Sequence, residues 1–425
     1  MIVLNKLIRR ISCTAILVPF VGLCAAQSGE LQNETTVPAP VQELRRHMLD
    51  APVNALFFHN MEELFDTRTV TRAGSVASFP RDDAGPPPDL DFDGKTYSYD
   101  EFADATYTNA FLIIRDGTIV FEDYRNNTSA DTRFIAFSMS KSITSMLIGI
   151  AIEKGTIESV DDLAIKYVPE LRGSGYDGVT IRQILEMRSG VDYEERYDFG
   201  ENPSLAAMIH ENAIVQNKER FADRARTIKR KTDPGSRFNY ATLDAAVLGW
   251  ILSRATGQAI SKFMSENLWE PAGMEYSGFW ISDGQPGVGR ELNGMGYNAT
   301  LRDFGRLGQL MLNGGKLNGR RILPEDWVRE STRMKPFPAD GGTGARNGYG
   351  YQWWKVDDNP GAFAAVGLQG QFIYVHPASR TVIVKLSFFP PAPPRGGDAE
   401  KMSIRYFGTV SGWSPDSHLL SLRSY

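Results

Sequence analysis

Residues 137–155 read Phe-Ser-Met-Ser-Lys-Ser-Ile-Thr-Ser-Met-Leu-Ile-Gly-Ile-Ala-Ile-Glu-Lys-Gly. Apolar side chains recur in this stretch at the i, i+3, i+4, i+7, i+8 spacing of one helix face, namely at Ile143, Met146, Leu147, Ile150 and Ala151. The spacing predicts a helix from Ser138 to Lys154 with one buried face, and Gly155 is a typical helix stop.

Ser138 and Lys141 lie three positions apart in the first turn of this helix. Residues at this spacing share a helix face, so the two side chains can hydrogen-bond. A lysine amine there can accept the serine proton without a histidine, which makes Ser138 a candidate nucleophile. The helix N-terminus also presents the Ser138 N–H to a developing oxyanion. The alternative is a capping serine beside a solvated lysine, because Ser-x-x-Lys occurs by chance in a chain of this length.

Strands are predicted on both sides of a helical middle region. Two apolar runs, Phe111–Arg115 and Thr118–Tyr124, flank Asp116-Gly117, which is typical of a β-hairpin. Three further strands and a final helix are predicted near the C-terminus, at Ala362–Val366, Gln371–His376, Thr381–Phe389 and Asp398–Val410.

This order of elements favours an α+β fold. We expect a mainly antiparallel sheet formed by the N- and C-terminal strands and flanked by helices, in residues 100–157 and 300–425. Residues 158–299 would form an inserted, mostly helical domain, with the active site at the junction. Residues 27–99 are expected to be an extension that wraps the surface, with a short helix near 55–65.

The composition is that of a soluble globular protein. The chain has 425 residues, of which 42% are hydrophobic and 23% charged. These values exclude a disordered, collagen-like or polytopic membrane protein. The net charge of −5 provides no general positive field, so no nucleic-acid partner is expected.

The first 26 residues are typical of a secretory signal. Three basic residues, Lys6, Arg9 and Arg10, precede an apolar stretch that ends in small residues, which predicts cleavage after Ala26. Both cysteines of the chain, Cys13 and Cys24, would then be removed. The exported protein would have no disulfide and no thiol nucleophile.

Two other interpretations of this segment remain. An uncleaved anchor would have to span the bilayer with sixteen residues that include Pro19, which is short. A lipoprotein could be attached through Cys24, although Leu23 is large for the preceding position. We expect an exported protein, periplasmic or secreted, with no stable membrane insertion after cleavage.

Several common catalytic motifs are absent from the sequence. His210-Glu211 is not followed by the second histidine of the HExxH zinc motif, and there is no G-x-S-x-G elbow. There is no Walker loop, and no dinucleotide-binding glycine motif follows a strand. We therefore expect no metal and no organic cofactor.

Tyr240 completes a candidate catalytic set. It lies in Asp-Pro-Gly-Ser-Arg-Phe-Asn-Tyr-Ala-Thr, residues 233–242, where a turn leads into a predicted helix. A tyrosine near a lysine can share its proton and protonate a leaving group. Taken alone, Tyr240 would be a core aromatic residue on a Pro-Gly turn.

Ser-x-x-Lys, a turn-borne tyrosine and a glycine-bearing strand together resemble the serine β-lactamase and penicillin-binding-protein superfamily. The resemblance extends from about residue 109 to 389 and implies a β-lactamase-like fold. Four further stretches support it: Ala110–Glu122, Ile184–Gly190, Leu268–Met274 and Asn298–Arg306.

The sequence departs from the superfamily at two motifs. Thr242 stands where the usual Tyr-x-Asn motif has asparagine, and Leu368-Gln369-Gly370 stands where Lys-Thr-Gly is usual. The usual lysine binds a substrate carboxylate, and losing a charge-assisted hydrogen bond costs about 1.5–3 kcal/mol. Recognition of β-lactams and D-Ala-D-Ala peptides should therefore be weak. Gly370 and the N–H of Gln371 are retained, so a second oxyanion donor is expected there.

The sequence combines a Ser-Lys-Tyr core with a third motif that lacks its usual lysine. This combination is most similar to the branch of 6-aminohexanoate-dimer hydrolases and β-lactamase-like carboxylesterases, and so is the stretch Phe57–Val70. In that branch a loop tyrosine and an asparagine help to bind substrate. The resemblance implies these roles for Tyr197 and Asn298, with an exposed loop aromatic and a helix cap as the alternatives. Gln369 and Gly370 are also expected to line the substrate site.

The predicted function is an exported serine hydrolase that cleaves ester or amide bonds of small substrates through an acyl-enzyme on Ser138. Lys141 accepts the serine proton, Tyr240 relays a proton to the leaving group, and the N–H groups of Ser138 and Gln371 hold the oxyanion. The alternatives are a class C-like β-lactamase or D,D-carboxypeptidase, and a non-catalytic binding protein on the same fold. The oligomeric state is left open.

Overall fold

A computed structural model of the chain describes residues 35–82, 84–337, 348–391 and 397–413. The predicted signal segment and both cysteines lie outside these ranges. The α-helices in the described ranges are α1 (Ala39–His47), α2 (Asn54–Phe57), α3 (Tyr99–Ala105), α4 (Met139–Glu153), α5 (Ala164–Tyr167), α6 (Ile181–Leu185), α7 (Leu205–Ile209), α8 (Thr242–Thr256), α9 (Ile260–Met264), α10 (Leu301–Leu312), α11 (Glu325–Ser331) and α12 (Asp398–Gly412).

Short 3₁₀ and π-helical segments interrupt the connections, at Met61–Glu63, Pro169–Leu171, His210–Val215, Phe221–Arg226 and Ser265–Trp269. The strands are β1 (Thr67–Val70), β2 (Leu90–Phe92), β3 (Lys95–Tyr97), β4 (Thr108–Arg115), β5 (Thr118–Tyr124), β6 (Phe134–Ile135), β7 (Gly278–Ile281), β8 (Tyr297–Ala299), β9 (Lys316–Leu317), β10 (Arg320–Arg321), β11 (Lys335–Pro336), β12 (Gly348–Tyr349), β13 (Trp354–Lys355), β14 (Phe363–Gly367), β15 (Gln371–His376) and β16 (Thr381–Ser387).

The main sheet joins the two ends of the sequence, as predicted. Its strand order is β11-β12-β13-β14-β15-β16-β4-β5, and its neighbouring strands are antiparallel. The β4–β5 hairpin turns at Asp116 and Gly117, whose φ angles are +47° and +77°. Two positive φ angles in a two-residue turn suit the right-handed twist of the flanking strands. The predicted α+β fold is confirmed.

Helix α4 is more deeply buried than the predicted single apolar face requires. Every residue from Met139 to Ala151 is buried, polar side chains included. The helix packs between the main sheet and α8, so it has no solvent-facing side along most of its length. This position inside the protein holds the first turn of α4 rigidly.

The N-terminal segment does more than wrap the surface, which corrects the expectation for residues 27–99. Strand β1 pairs antiparallel with β7 in a second sheet of order β1-β7-β8-β6. Phe58 and Val70 are fully buried in the core. Helix α1 was not predicted, and the short helix expected near 55–65 is present as α2 and the 3₁₀ turn that follows it.

The second sheet also bears on the predicted domain division. It takes β1 from the N-terminal segment, β7 and β8 from the predicted helical insertion, and β6 from the predicted sheet domain. The boundaries at 158 and 299 stay a prediction.

Within the described ranges, no helix has the length and apolar character needed to cross a bilayer.

Candidate active site

Ser138 lies at the N-terminus of α4, after an unusual backbone turn. Phe137 has a φ of +42°, a conformation that non-glycine residues seldom adopt and that costs about 1–3 kcal/mol. Its ring is buried and packs edge-on against Phe58, with 4.8 Å between ring centroids. This packing stabilises the turn that leads into Ser138, whose side chain remains partly exposed.

The amine of Lys141 contacts Ser138, as the spacing predicted. Its Nζ lies 2.9 Å from Ser138 Oγ, 3.1 Å from Thr242 Oγ1 and 2.7 Å from the Gly294 carbonyl oxygen. The residue is buried, with 1% of its surface exposed. Because the three partners surround the nitrogen, the amine is held in one position.

Thr242 and Gly294 bring two separate parts of the chain to the lysine. Thr242 begins α8, and Gly294 lies in the loop between β7 and β8. A Cβ on Gly294 would lie 2.6 Å from Thr242 Cγ2, so only glycine allows this approach. From the sequence, Thr242 is recognisable only as a departure from the Tyr-x-Asn motif. Nothing in the local sequence pointed to Gly294.

Tyr240 is brought to the same place. Lys141 Nζ lies 5.0 Å from the centre of the Tyr240 ring. The ring is half-buried and packs beside Trp354, with 5.3 Å between centroids. Ser138, Lys141 and Tyr240 therefore form one cluster, although Tyr240 is 102 residues from Ser138 in the sequence.

Gln371 lies on a hairpin that packs against the segment before the nucleophile. It pairs with Gly367 across β14 and β15, and a Cβ on Gly367 would lie 2.3 Å from the Ala136 carbonyl oxygen. The Gln371 side chain is buried and donates to the Ser387 carbonyl oxygen at 2.7 Å. The side chain is therefore bound within the sheet, and the predicted role of the backbone N–H as an oxyanion donor stays a prediction.

Gln369 and Gly370, both predicted to line the substrate site, form the β14–β15 turn. The Gln369 side chain extends to the N-terminal segment, where Nε2 donates to the Leu49 carbonyl oxygen at 2.9 Å. Gly370 has a φ of +95°, and a Cβ there would lie 2.5 Å from the Phe389 ring. Both residues shape the turn, because it needs positive φ and close packing. Their role in substrate binding stays a prediction.

Tyr197 is joined to the catalytic cluster through Glu195. It is 38% exposed on the loop after Val191, and its hydroxyl donates to Glu195 Oε1. Glu195 in turn accepts from the Thr242 N–H at 2.7 Å and from the Thr242 hydroxyl at 2.8 Å. Glu195 was missed because nothing in the sequence distinguishes it from Glu194 beside it.

Asn298 lies in strand β8 with no exposed surface. Its side-chain amide donates to the Gly296 carbonyl oxygen at 3.0 Å, and its backbone pairs with Ile135 and Phe279 in the second sheet. The helix cap of α10 is Thr300 rather than Asn298. Asn298 is thus part of the second sheet, and its role in substrate binding stays a prediction.

A cavity of about 520 Å³ adjoins the cluster. Thr242 and Gly294, which hold the lysine amine, form part of its wall, whereas Ser138 and Tyr240 do not line it. No group of three or more metal-ligating side chains occurs in the described part of the chain.

A protein-family model described as Beta-lactamase matches residues 101–403, which include the whole cluster. The chain belongs to the β-lactamase family. It is 31% identical over 355 residues to the 6-aminohexanoate-dimer hydrolase of Paenarthrobacter ureafaciens, an alignment that covers 80% of this chain and 87% of that protein.

Solved structures show the same fold. A structure described as "Putative 6-aminohexanoate-dimer hydrolase from Bacillus anthracis" superposes with a TM-score of 0.73 at 24% identity, over 88% of this chain and 98% of that one. A family VIII carboxylesterase superposes with a TM-score of 0.54 at 19% identity, over 72% and 94% of the two chains. The predicted resemblance is confirmed, and the relatives of this β-lactamase-family protein include hydrolases.

Proposed function

We propose that the protein is a serine hydrolase that cleaves ester or amide bonds of small linear substrates through an acyl-enzyme on Ser138. The contact of 2.9 Å between Lys141 Nζ and Ser138 Oγ carries this proposal. The similarity to an amide hydrolase at 31% identity supports the reaction class.

The first step is the transfer of the Ser138 proton. A neutral lysine amine has two N–H bonds and one lone pair. When the neutral amine gives these two hydrogens to Thr242 Oγ1 and Gly294 O, its lone pair is left for Ser138 Oγ at 2.9 Å. Ser138 Oγ then attacks the substrate carbonyl while its proton passes to Lys141.

The later steps use Tyr240 and backbone donors. Tyr240, beside the lysine, relays a proton to the leaving alcohol or amine, and water then hydrolyses the acyl-enzyme. The N–H groups of Ser138, at the N-terminus of α4, and of Gln371, on the adjoining hairpin, hold the oxyanion. No step needs a metal or an organic cofactor.

The substrate preference follows from the third motif. Leu368 stands at the sequence position of the usual lysine and is 40% exposed, and its side chain carries no charge to bind a substrate carboxylate. The missing charge-assisted bond of about 1.5–3 kcal/mol predicts tenfold or greater discrimination against β-lactams and D-Ala-D-Ala peptides. We also propose that the protein is exported and that its signal peptide is cleaved near Ala26.

A substrate panel tests the proposed function. A short-chain nitrophenyl ester, an aminohexanoate dimer and a chromogenic cephalosporin are compared, together with labelling by a fluorophosphonate. We expect hydrolysis of the first two substrates and labelling of the wild type. Ser138→Ala should abolish labelling and lower kcat by about 10³-fold or more.

Three outcomes would contradict the proposal. Full hydrolytic activity in Ser138→Ala would show that Ser138 is not the nucleophile. Absence of labelling and of hydrolysis in the wild type would favour a binding protein on the same fold. A clear preference for the cephalosporin would favour the β-lactamase alternative.

A further inference from the structure

We propose that Glu195 is a positioning residue that makes Lys141 a base, by fixing the direction of the hydrogen bond between Lys141 and Thr242. The inference rests on the proposed function, because it concerns the lysine that accepts the Ser138 proton. It assigns a role to a carboxylate that reaches Lys141 through Thr242, whose backbone N–H and hydroxyl both donate to it.

The two acceptors of the lysine amine differ in kind. The Gly294 carbonyl oxygen only accepts hydrogen bonds, so it always takes an N–H from Lys141. The Thr242 hydroxyl has one proton and two lone pairs, so it could either accept from Lys141 or donate to it. If it donated, it would occupy the lone pair that must take the Ser138 proton.

Glu195 removes this ambiguity. Carboxylate oxygens accept hydrogen bonds, and Glu195 Oε1 lies 2.8 Å from Thr242 Oγ1, which donates to it. The Thr242 proton is therefore directed to Glu195, and the lone pairs of the hydroxyl face Lys141 Nζ at 3.1 Å. Both lysine hydrogens are then bound, and the lone pair is left for Ser138.

A second hydrogen bond fixes the orientation of the Glu195 carboxylate. Glu195 Oε2 accepts the Thr242 backbone N–H at 2.7 Å, at the first residue of α8. Two bonds to one residue fix the carboxylate plane relative to the Thr242 side chain. Tyr197 also donates to Oε1, so the loop predicted to bind substrate is connected to the catalytic amine.

A purely structural role for Glu195 would be to anchor the 191–201 loop to the N-terminus of α8, where a carboxylate is favourable. Substitutions that remove or keep the Thr242 hydroxyl distinguish the anchoring role from the positioning role. Thr242→Val removes the hydroxyl but keeps the backbone N–H bond to Glu195, so it leaves the anchor intact. Thr242→Ser keeps both and should restore activity.

The experiment measures kcat, KM and the rate of fluorophosphonate labelling at Ser138 for Glu195→Gln, Thr242→Val, their double variant and Thr242→Ser. We expect Glu195→Gln and Thr242→Val each to lower kcat and the labelling rate by tenfold to a hundredfold, which is below the full effect of about 10²–10⁴ for a general base. KM should change less than threefold. Thr242→Ser should retain most of the wild-type rate.

The double variant tests whether both residues act along one path. If Glu195 acts through the Thr242 hydroxyl, the double variant should be no slower than the slower single variant, because residues of one network are not additive. The matched control is Glu194→Gln, since Glu194 lies on the same loop but is 58% exposed and pairs with Lys231 at 3.1 Å. This control should label at the wild-type rate.

The outcomes are distinguishable. If the wild type is not labelled, the proposed function fails. If the wild type is labelled and Glu195→Gln or Thr242→Val is labelled equally fast, or if their effects multiply, this inference fails while the proposed function stands. If Glu195→Gln does not fold, an equal labelling rate of Thr242→Val and the wild type would still overturn the inference, because Glu195 is argued to act through the Thr242 hydroxyl.

Discussion

Asp244 is a buried carboxyl group one turn from the catalytic cluster. It has no exposed surface, and its Oδ1 accepts a hydrogen bond of 2.7 Å from the Tyr176 hydroxyl. Burial raises the pKa of Asp244 to about 7, although the hydrogen bonds from Tyr176 and Ser189 oppose the shift. At neutral pH the group is therefore close to half-protonated inside the protein.

This predicts a pH dependence of stability. Between the unfolded pKa of 3.8 and the folded pKa of about 7, the folded chain holds the proton that the unfolded chain has lost. The contribution of Asp244 to the free energy of unfolding is fully present below 3.8 and is lost as the pH rises towards 7, by at most about 1.4 kcal/mol per pH unit.

Asp244→Asn should remove this contribution, so the variant should gain stability relative to the wild type as the pH rises from 4 to 8. Urea unfolding of both proteins across this range measures the difference. A difference that is constant with pH would show that Asp244 titrates normally in the folded protein.

At the scale of the element, the β14–β15 hairpin connects packing to the site. Its turn contains Gln369 and Gly370, with φ angles of +56° and +95°, and leads directly into Gln371. The turn packs on Phe389, so the position of the proposed oxyanion donor depends on the absence of a side chain at Gly370.

Gly370→Ala should lower the free energy of unfolding by about 1–3 kcal/mol and reduce kcat, because the new Cβ meets the Phe389 ring and displaces the turn. Gly361→Ala is the control: its φ is +76°, but no heavy atom lies within 4 Å of the added Cβ. Chemical unfolding and ester hydrolysis are measured for both variants. Equal losses in the two would assign the effect to backbone strain alone.

The sequence predicted the secondary structure elements near the site well where local signals were strong. The β4–β5 hairpin was located through Asp116-Gly117, and α4 through its apolar spacing. The strand in the N-terminal segment could not be predicted, because a four-residue strand such as β1 becomes recognisable only when it pairs with β7.

At the scale of the whole molecule, the N-terminal segment stabilises the active-site hairpin from behind. Asn54 is fully buried, and its Nδ2 donates to the carbonyl oxygens of Phe389 at 3.0 Å and Phe388 at 3.2 Å. Gln369 reaches back to Leu49 in the same segment. The segment thus fixes the end of β16 and the turn before Gln371 together.

Asn54→Ala should lower the free energy of unfolding by about 1–3 kcal/mol, because it leaves two buried carbonyl groups without their donor. Asn60→Ala is the matched control, since Asn60 donates to the Leu56 carbonyl oxygen within its own turn. Thermal and urea unfolding, with kcat at 25 °C, measure the effect. Equal stability of the two variants would contradict a clamping role for Asn54.

The contact between Ser138 and Lys141, the proposed nucleophile and base, could be predicted because the two residues are neighbours on one helix turn, where spacing alone sets their distance. Tyr240 and Gln371 required the resemblance to a family, since they are far from Ser138 along the chain. Glu195 and Gly294 were found only in the folded protein. Their bonds to Thr242 and Lys141 join segments up to 153 residues apart, and no local pattern encodes which distant polar group a buried amine will meet.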